Sequence, residues 1–419
     1  MLIEPYVHYR VMFIVLNDLI MRFNKFPTMH QVSKDKAVIV MGNTGPSRIN
    51  NFDLIRLLAA IQVFVGHAFL IKFFRENWVY DIIWFVPGVP IFFGMSGFLL
   101  LWSFERHSDL PSYFKNRFLR LYPALWLTMV LTTVILLAFG TVSLRGLFDP
   151  SFLMYFFGRC TIIFYFVPSI VKGFAQGNPN GSLWTIGVEL QFYFLLPLIY
   201  LLIRKRRLYV KNIILIGIGF ISYWIDRHDP EPPFNVSKLN GYLQILVSEF
   251  RILYYLFFFI VGMLCYVNYR YLGKLLEGRF VPLLLFYIAI SALTFYYCDL
   301  SKIDRYAPDP VSLLRHLCLM LMVFSAAFTR GRLAEKLLKG NDYSYGIYLV
   351  HLLILNSFYQ LHLFNGLVNF IFAGLLTGIL AFLSWRLVEK RALRLKKHPL
   401  RTIFRKPMGR IIKYTNTPV

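Results

Sequence analysis

The chain alternates apolar runs of about twenty residues with short basic stretches, and that alternation settles most of what it can fold into. About twenty residues of helix, rising about 1.5 Å each, cross about 30 Å of hydrocarbon. Inside lipid a lone segment satisfies its own backbone groups only as a helix. Ten runs are read as spans, at 54–73, 82–102, 121–139, 183–203, 211–226, 248–268, 281–297, 311–328, 343–361 and 366–388. The expected fold is all-α: a polytopic transmembrane helical bundle of about ten spans. Hydrophobic residues make up 57% of the 419, more than one soluble core requires.

An eleventh apolar run, SFLMYFFGRCTIIFYFVPSIV at 150–170, carries Arg159 and many aromatics, which suits a re-entrant or interfacial piece. Charge asymmetry supports that reading. If this run does not cross, ERHSDLPSYFKNRFLR, RKRR, YRYLGKLLEGR, TRGRLAEKLLKG and the C-terminal tail all fall on one side. Basic loops mark the cytoplasmic side, so both termini are expected inside and the chain in a bacterial inner membrane. The other side receives DRHDPEPPFNVSKLNG and CDLSKIDRYAPDP.

Residues 1–50 form an N-terminal extension, 51–393 the membrane domain and 394–419 a basic cytoplasmic tail. VMFIVLNDLIM is too short and polar to span and lacks a cleavage pattern, so it suits an amphipathic helix lying on the membrane; a start at Met41 is the alternative. The net charge of +24 with only 16% charged residues concentrates cations in the loops, where anionic lipid head groups or an anionic ligand would meet them. No nucleic-acid motif interrupts the spans, so nucleic acid is not expected as a partner. Cys160, Cys265, Cys298 and Cys318 are scattered and read as small apolar packing residues, with no metal site.

The first span, DLIRLLAAIQVFVGHAF, holds an arginine and a histidine. Arg56 and His67 are eleven residues apart, about 20° from three full turns and about 16 Å along the axis. They share one stripe, with Arg56 near the surface and His67 at depth. Singly, each has an ordinary explanation, a snorkelling anchor or an interhelical hydrogen bond. As an aligned pair they imply a polar track for a long ligand, charged end at the surface and reactive end within.

Here the residues resemble the membrane-bound acyltransferase 3 family. FDLIRLLAAIQVFVGHAF is similar to its first-span signature, and VPIFFGMSGFLLLWSF to its second span. KNRFLRLYPALW resembles its Arg-x-x-Arg loop, and GSLWTIGVELQFYFLLPL its Ser-Leu-Trp and Val-Glu block. SYGIYLVHLLIL and SWRLVEKRAL are similar to its closing spans. The likeness runs in order from about 50 to 393. It departs where many members carry paired glutamates, since Leu190 follows Glu189. The resemblance implies transfer of an acyl group, usually acetyl, from acyl-CoA (acetyl-CoA) to a hydroxyl of a glycan or glycolipid, with no permanently bound cofactor.

Site expectations follow from these residues. His67 and Glu189 are the catalytic candidates, Glu189 orienting His67 or binding the acceptor. Arg56, Arg117 and Arg120 would take the phosphates of the donor, with Ser96, in a small-residue stretch that suits close packing, also placed at the donor. Ser182, Glu189 and Tyr193 are expected within about 40° on one helix face. Trp184, Tyr193, Tyr348 and His351 are placed on the substrate. Glu389, with Lys390 and Arg391, reads as an interfacial helix end, and Asn180 and Asn235 match glycosylation sequons expected outside. The competing functional classes are a transporter or flippase, whose aligned ionisable groups would form a proton or substrate path, and a non-catalytic scaffold.

Overall fold

A computed structural model of the protein describes residues 51–74, 83, 85–106, 109–228, 252–297, 310–329, 333–364 and 366–397. The N-terminal extension, most of the basic tail, Cys298 and Asn235 lie outside the described residues. Every regular element among the described residues is helical. In chain order these are α1 (Phe52–Leu70), α2 (Gly88–Arg106), α3 (Leu110–Ala138), α4 (Pro150–Arg159), α5 (Trp184–Ile203), α6 (Leu208–His228) and α7 (Ile252–Val267). Then follow α8 (Tyr269–Leu276), α9 (Phe280–Tyr297), α10 (Pro310–Phe328), α11 (Leu333–Leu338), α12 (Ser344–Gln360), α13 (Leu367–Ser384) and α14 (Lys390–Arg394), with a π-helical turn, Trp385–Glu389, joining the last two.

Each of the ten expected runs contains a helix, but among the described residues only seven helices are long and apolar enough to cross alone. An eighth span is possible if α7 and α8 are taken together across a 91° bend. Helix α9 is shorter in its apolar part, and α12, at 17 residues, is diluted by Tyr, His, Asn and Ser. The figure of about ten is therefore approximate. The chain is an integral membrane protein.

The run at 150–170 is not one helix. Asp149 caps α4 by accepting from Ser151 N at 2.8 Å, and α4 ends after ten residues, about half the hydrocarbon thickness. Turns and a short 3₁₀ segment at Ser169–Val171 follow. Arg159 is buried: it is 1% exposed and donates to Asn180 O at 2.8 Å and Asn178 Oδ1 at 3.2 Å, with its guanidinium 4.7 Å from the Tyr155 ring. A cation that cannot reach water is held by carbonyl and amide oxygens instead.

The centre of the bundle is set by glycine. A Cβ on Gly97 would lie 2.0 Å from Phe259 O, and one on Gly262 1.9 Å from Gly94 O, so α2 and α7 meet backbone to backbone. Small residues replace the missing hydrophobic drive between helices in lipid by permitting this close approach. Gly262→Ala forces the helices apart; it is expected to destabilise by about 3 kcal/mol, read as a fall of about 5 °C or more in the apparent melting temperature of detergent-solubilised protein. An unchanged melting temperature would contradict the contact.

The three described cysteines, Cys160, Cys265 and Cys318, are free and buried, as small apolar residues pack. Asn180 is 0% exposed, so its sequon is closed to glycan attachment.

Candidate active site

Helix α1 carries polar side chains at both ends of one stripe, and both meet the same partner. Arg56 Nη1 lies 3.7 Å from Asp342 Oδ2, just ahead of α12. His67 Nδ1 lies 3.2 Å from Nε2 of His351, within α12. Because 56 pairs with 342 and 67 with 351, α1 and α12 run parallel. Nine alternating crossings through the ten expected spans give that direction, whereas counting α4 as a further crossing would reverse it.

The arginine end is built around one carboxylate. Asp342 is 7% exposed and pairs with Arg120 as well as Arg56, while Arg56 also donates to Asp53 Oδ1 at 2.9 Å within its own first turns. Burial alone would raise the Asp342 pKa, but Arg120 and then Arg56 outweigh it and hold the carboxyl below its ordinary range. The same carboxylate starts α12, its Oδ1 accepting from Ser344 N at 3.2 Å and Ser344 Oγ at 2.5 Å.

Arg117 and Arg120, three apart on α3, diverge. Arg117 Nη2 donates to Ser103 Oγ at 3.1 Å and its guanidinium lies 5.9 Å from the Tyr193 ring. Arg120 turns to Asp342 and Tyr345, and its Nη1 is 4.0 Å from Glu389 Oε2. Lys396 joins the cluster from the end of the described chain. Burial and then Arg117, Arg120 and Arg56 push its pKa down to about 7.

Glu389 is not an interfacial helix end. The π-helical turn rotates it inward to 2% exposure, where Oε1 accepts from Ser384 Oγ at 3.0 Å and Oε2 faces Arg120. The insertion of a π turn has no simple signature in residue spacing, which is why the sequence misplaced it.

Glu189 accepts from Tyr193 Oη at 2.6 Å, one helical turn on, and from Ser96 Oγ at 3.4 Å. It therefore links α5 to α2 and stands at Ser96, while His67 meets His351. Ser182 does not share that face. Helix α5 begins at Trp184; Ser182 sits in the preceding 3₁₀ turn and donates to Asn180 Oδ1 at 2.9 Å.

Among the substrate candidates, Trp184 lies half-buried with its ring 4.9 Å from Tyr255. Tyr348 donates to Ser182 O at 3.0 Å and is 2.6 Å from Thr185 Oγ1. With Asn180 Nδ2 on Leu349 O at 2.8 Å and Asn356 Nδ2 on Asn178 O at 3.0 Å, it straps the 178–185 turn to α12. His351 is 0% exposed and both ring nitrogens face protein atoms, Nδ1 the carbonyls of Tyr348 at 2.7 Å and Ile347 at 3.2 Å, Nε2 the His67 ring. That leaves it no edge for a sugar. Among the described residues no group of three metal-ligating side chains converges.

Sequence reading missed Asp342 and Lys396 and misplaced Glu389. Asp342 carried a weak signal, standing two residues before a serine at a helix start. Lys396 carried none.

Comparison with known proteins agrees with this architecture. A family model described as an acyltransferase domain matches residues 49–386. Nodulation protein 10 of Rhizobium leguminosarum bv. viciae is 32% identical over 83% of this chain and 94% of its own length. An O-acetyl transferase of Shigella phage Sf6 is 25% identical over 82% of this chain and 96% of its own length. A peptidoglycan O-acetyltransferase of Listeria monocytogenes is 28% identical over 42% of this chain, covering 28% of that relative. No solved structure matches. A family match over most of the chain, on a membrane bundle with this paired site, places the protein in the acyltransferase 3 family as an O-acetyltransferase-like membrane enzyme.

Proposed function

We propose that the protein transfers an acetyl group from acetyl-CoA to a hydroxyl of a cell-surface or exported glycan. The observation that carries this is the arrangement along α1 and α12: a cluster of cations at one end and an imidazole pair about 16 Å away, joined by two parallel helices. The phosphates of CoA suit the guanidinium groups of Arg56, Arg117 and Arg120, and the pantetheine arm is long enough to bring a thioester to His67. In this reading the cationic end faces the cytoplasm of a bacterial inner membrane.

His67 removes the proton from the acceptor hydroxyl as its oxygen attacks the thioester carbonyl, or takes the acetyl group on its ring and passes it on. In the direct route the C–O bond forms as the C–S bond breaks; in the covalent route a C–N bond replaces C–S first and the acceptor oxygen then displaces the ring nitrogen, and in both CoA leaves as the thiol. The Shigella phage and Listeria relatives are named as O-acetyl transferases, the latter acting on peptidoglycan, which supports a glycan acceptor. Purified protein in nanodiscs, given acetyl-labelled CoA and the glycolipid extract of its host, tests the reading. Label should move to the glycolipid, and a transporter or scaffold would leave it on CoA.

Lys396 gives this reading a pH signature. Its pKa of about 7 leaves it partly neutral, and phosphates beside it would raise that value, so donor binding takes up a proton. CoA affinity should fall as pH rises from about 7 to 9, by up to about tenfold per unit, and Lys396→Ala should flatten the slope in isothermal titration. Equal slopes in both proteins would remove Lys396 from the donor site.

A further inference from the structure

We propose that Arg315 marks a binding site for an oxyanion, a phosphate or a carboxylate, away from the Arg56–Asp342 cluster; that the anion belongs to the acceptor rests on the reading above. Arg315 stands on α10, is 7% exposed, and its enclosed Nε has no hydrogen-bond partner. Among the described residues its guanidinium makes no hydrogen bond and no ion pair. Arg159 gives the contrast: also buried, it donates from both Nη groups to carbonyl and amide oxygens. A structural arginine in this bundle is thus supplied with acceptors, and Arg315 is not. A buried charge left alone costs the fold, and inside membrane spans such groups mark the path of a ligand. Snorkelling does not account for it, since the side chain stays enclosed instead of reaching water.

The surroundings suit a polar ligand. Tyr287, Ser291 and Thr294 fall within about 60° on one face of α9, and all three are buried, while Leu285, Phe286, Ile288 and Leu293 around them are exposed. Helix α9 packs on α10, and Tyr287 lies within electrostatic reach of Arg315. The Tyr287 hydroxyl donates to Phe85 O. In the same stretch Ile83 O accepts from Gln62 Nε2 at 2.9 Å, and Gly88 N donates to Gln62 Oε1 at 2.7 Å. This stretch therefore connects the Arg315 region to α1, five residues before His67. It is also non-helical at 85–87, beside the middle of α1, since a Cβ on Gly88 would lie 2.6 Å from Ala59 O. Such backbone at membrane depth is tolerated where protein covers it or where it lines a water-filled cavity.

Arg315 is separate from the donor cations. Asn51 Nδ2 donates to Ala326 O at 3.0 Å and Thr329 O at 3.1 Å, so α10 ends where α1 begins. Arg315 stands eleven residues back from Ala326, about 17 Å toward the other end of the bundle. Donor and acceptor would then each meet their own guanidinium, whose planar fork fits either oxyanion.

Binding and turnover both test the site, with the full-length protein in nanodiscs. Host glycolipid extract, split by anion exchange into acidic and neutral fractions, should take label from acetyl-labelled CoA mainly in the acidic one. Arg315→Gln should raise KM for that fraction about tenfold or more and leave KM for acetyl-CoA unchanged, with Arg315→Lys recovering part of the loss. Inorganic phosphate, as a probe without turnover, should raise the apparent melting temperature of the wild type more than that of Arg315→Gln. If that difference is seen but both proteins use the two fractions alike, the site binds a separate anion and not the acceptor. Without ligand, Arg315→Gln should melt no lower than the wild type, because it removes an unpaired charge. A fall of several degrees would mark a structural arginine and overturn the proposal, as would equal phosphate shifts in the two proteins. No label transfer by the wild type would reject the acetyl-transfer reading, and the phosphate comparison would still decide the site.

Discussion

His67→Ala is expected to reduce acetyl transfer by about 10²–10⁴-fold, the usual loss when a positioned acid–base group is removed. Mass spectrometry of glycan from cells carrying native or variant protein reads the effect as O-acetyl content. The fold should survive. His67 is only half-buried, and its surroundings include Phe64 and Ala68 of the same helix, packed against Leu352 and Leu355. Equal membrane levels with lost acetylation would locate the defect in chemistry, and unchanged acetylation would remove His67 from the reaction. Incubation with acetyl-CoA alone separates the two routes: an acetyl increment on the His67 peptide marks a covalent intermediate.

The second large effect is on stability. Asp342→Ala leaves Arg120 and Arg56 without their shared carboxylate and also removes the oxygen that starts α12. Stranding a buried charge costs about 3–5 kcal/mol, well above what an exposed ion pair contributes. The apparent melting temperature should fall by several degrees in consequence. Added CoA should restore more stability in the variant than in the wild type, because its phosphates replace the missing anion. No loss of stability would mean that Asp342 is not the counter-charge. In the native protein the depressed pKa sets the pH window: the stabilisation is complete above the ordinary carboxylate range and disappears as pH falls through the lowered value.

Much of this was legible in the residues because lipid imposes so strong a constraint. Hydrophobic run length located the helices, and the eleven-residue spacing of Arg56 and His67 gave a stripe whose two ends both meet the α12 segment. Interhelical partners were the illegible part. Nothing local in the sequence says that residue 67 will meet residue 351, or that 120 will meet 342, since such pairs are created by packing. Boundaries also failed where the helix was irregular. Ser182 dropped out of the α5 face because the chain enters that helix through a 3₁₀ turn, and Glu389 turned inward because a π turn adds one residue to the last span. Small-residue packing was legible in kind, since the stretch around Ser96 reads as suited to close packing, but its partner Gly262 was not.

The glycine seam has a bearing on how the proposed thioester donor would meet the site. Helices fused at the level of their main chains have no side chains to rearrange, so α2 and α7 behave as a single beam. The helices that flank the imidazoles are tied in the same way, since a Cβ on Gly88 would lie 2.6 Å from Ala59 O of α1 and one on Gly346 of α12 2.9 Å from Ala381 Cα of α13. The walls around the two rings are thus set by main-chain contacts before any ligand arrives, and a ligand must fit them more than mould them.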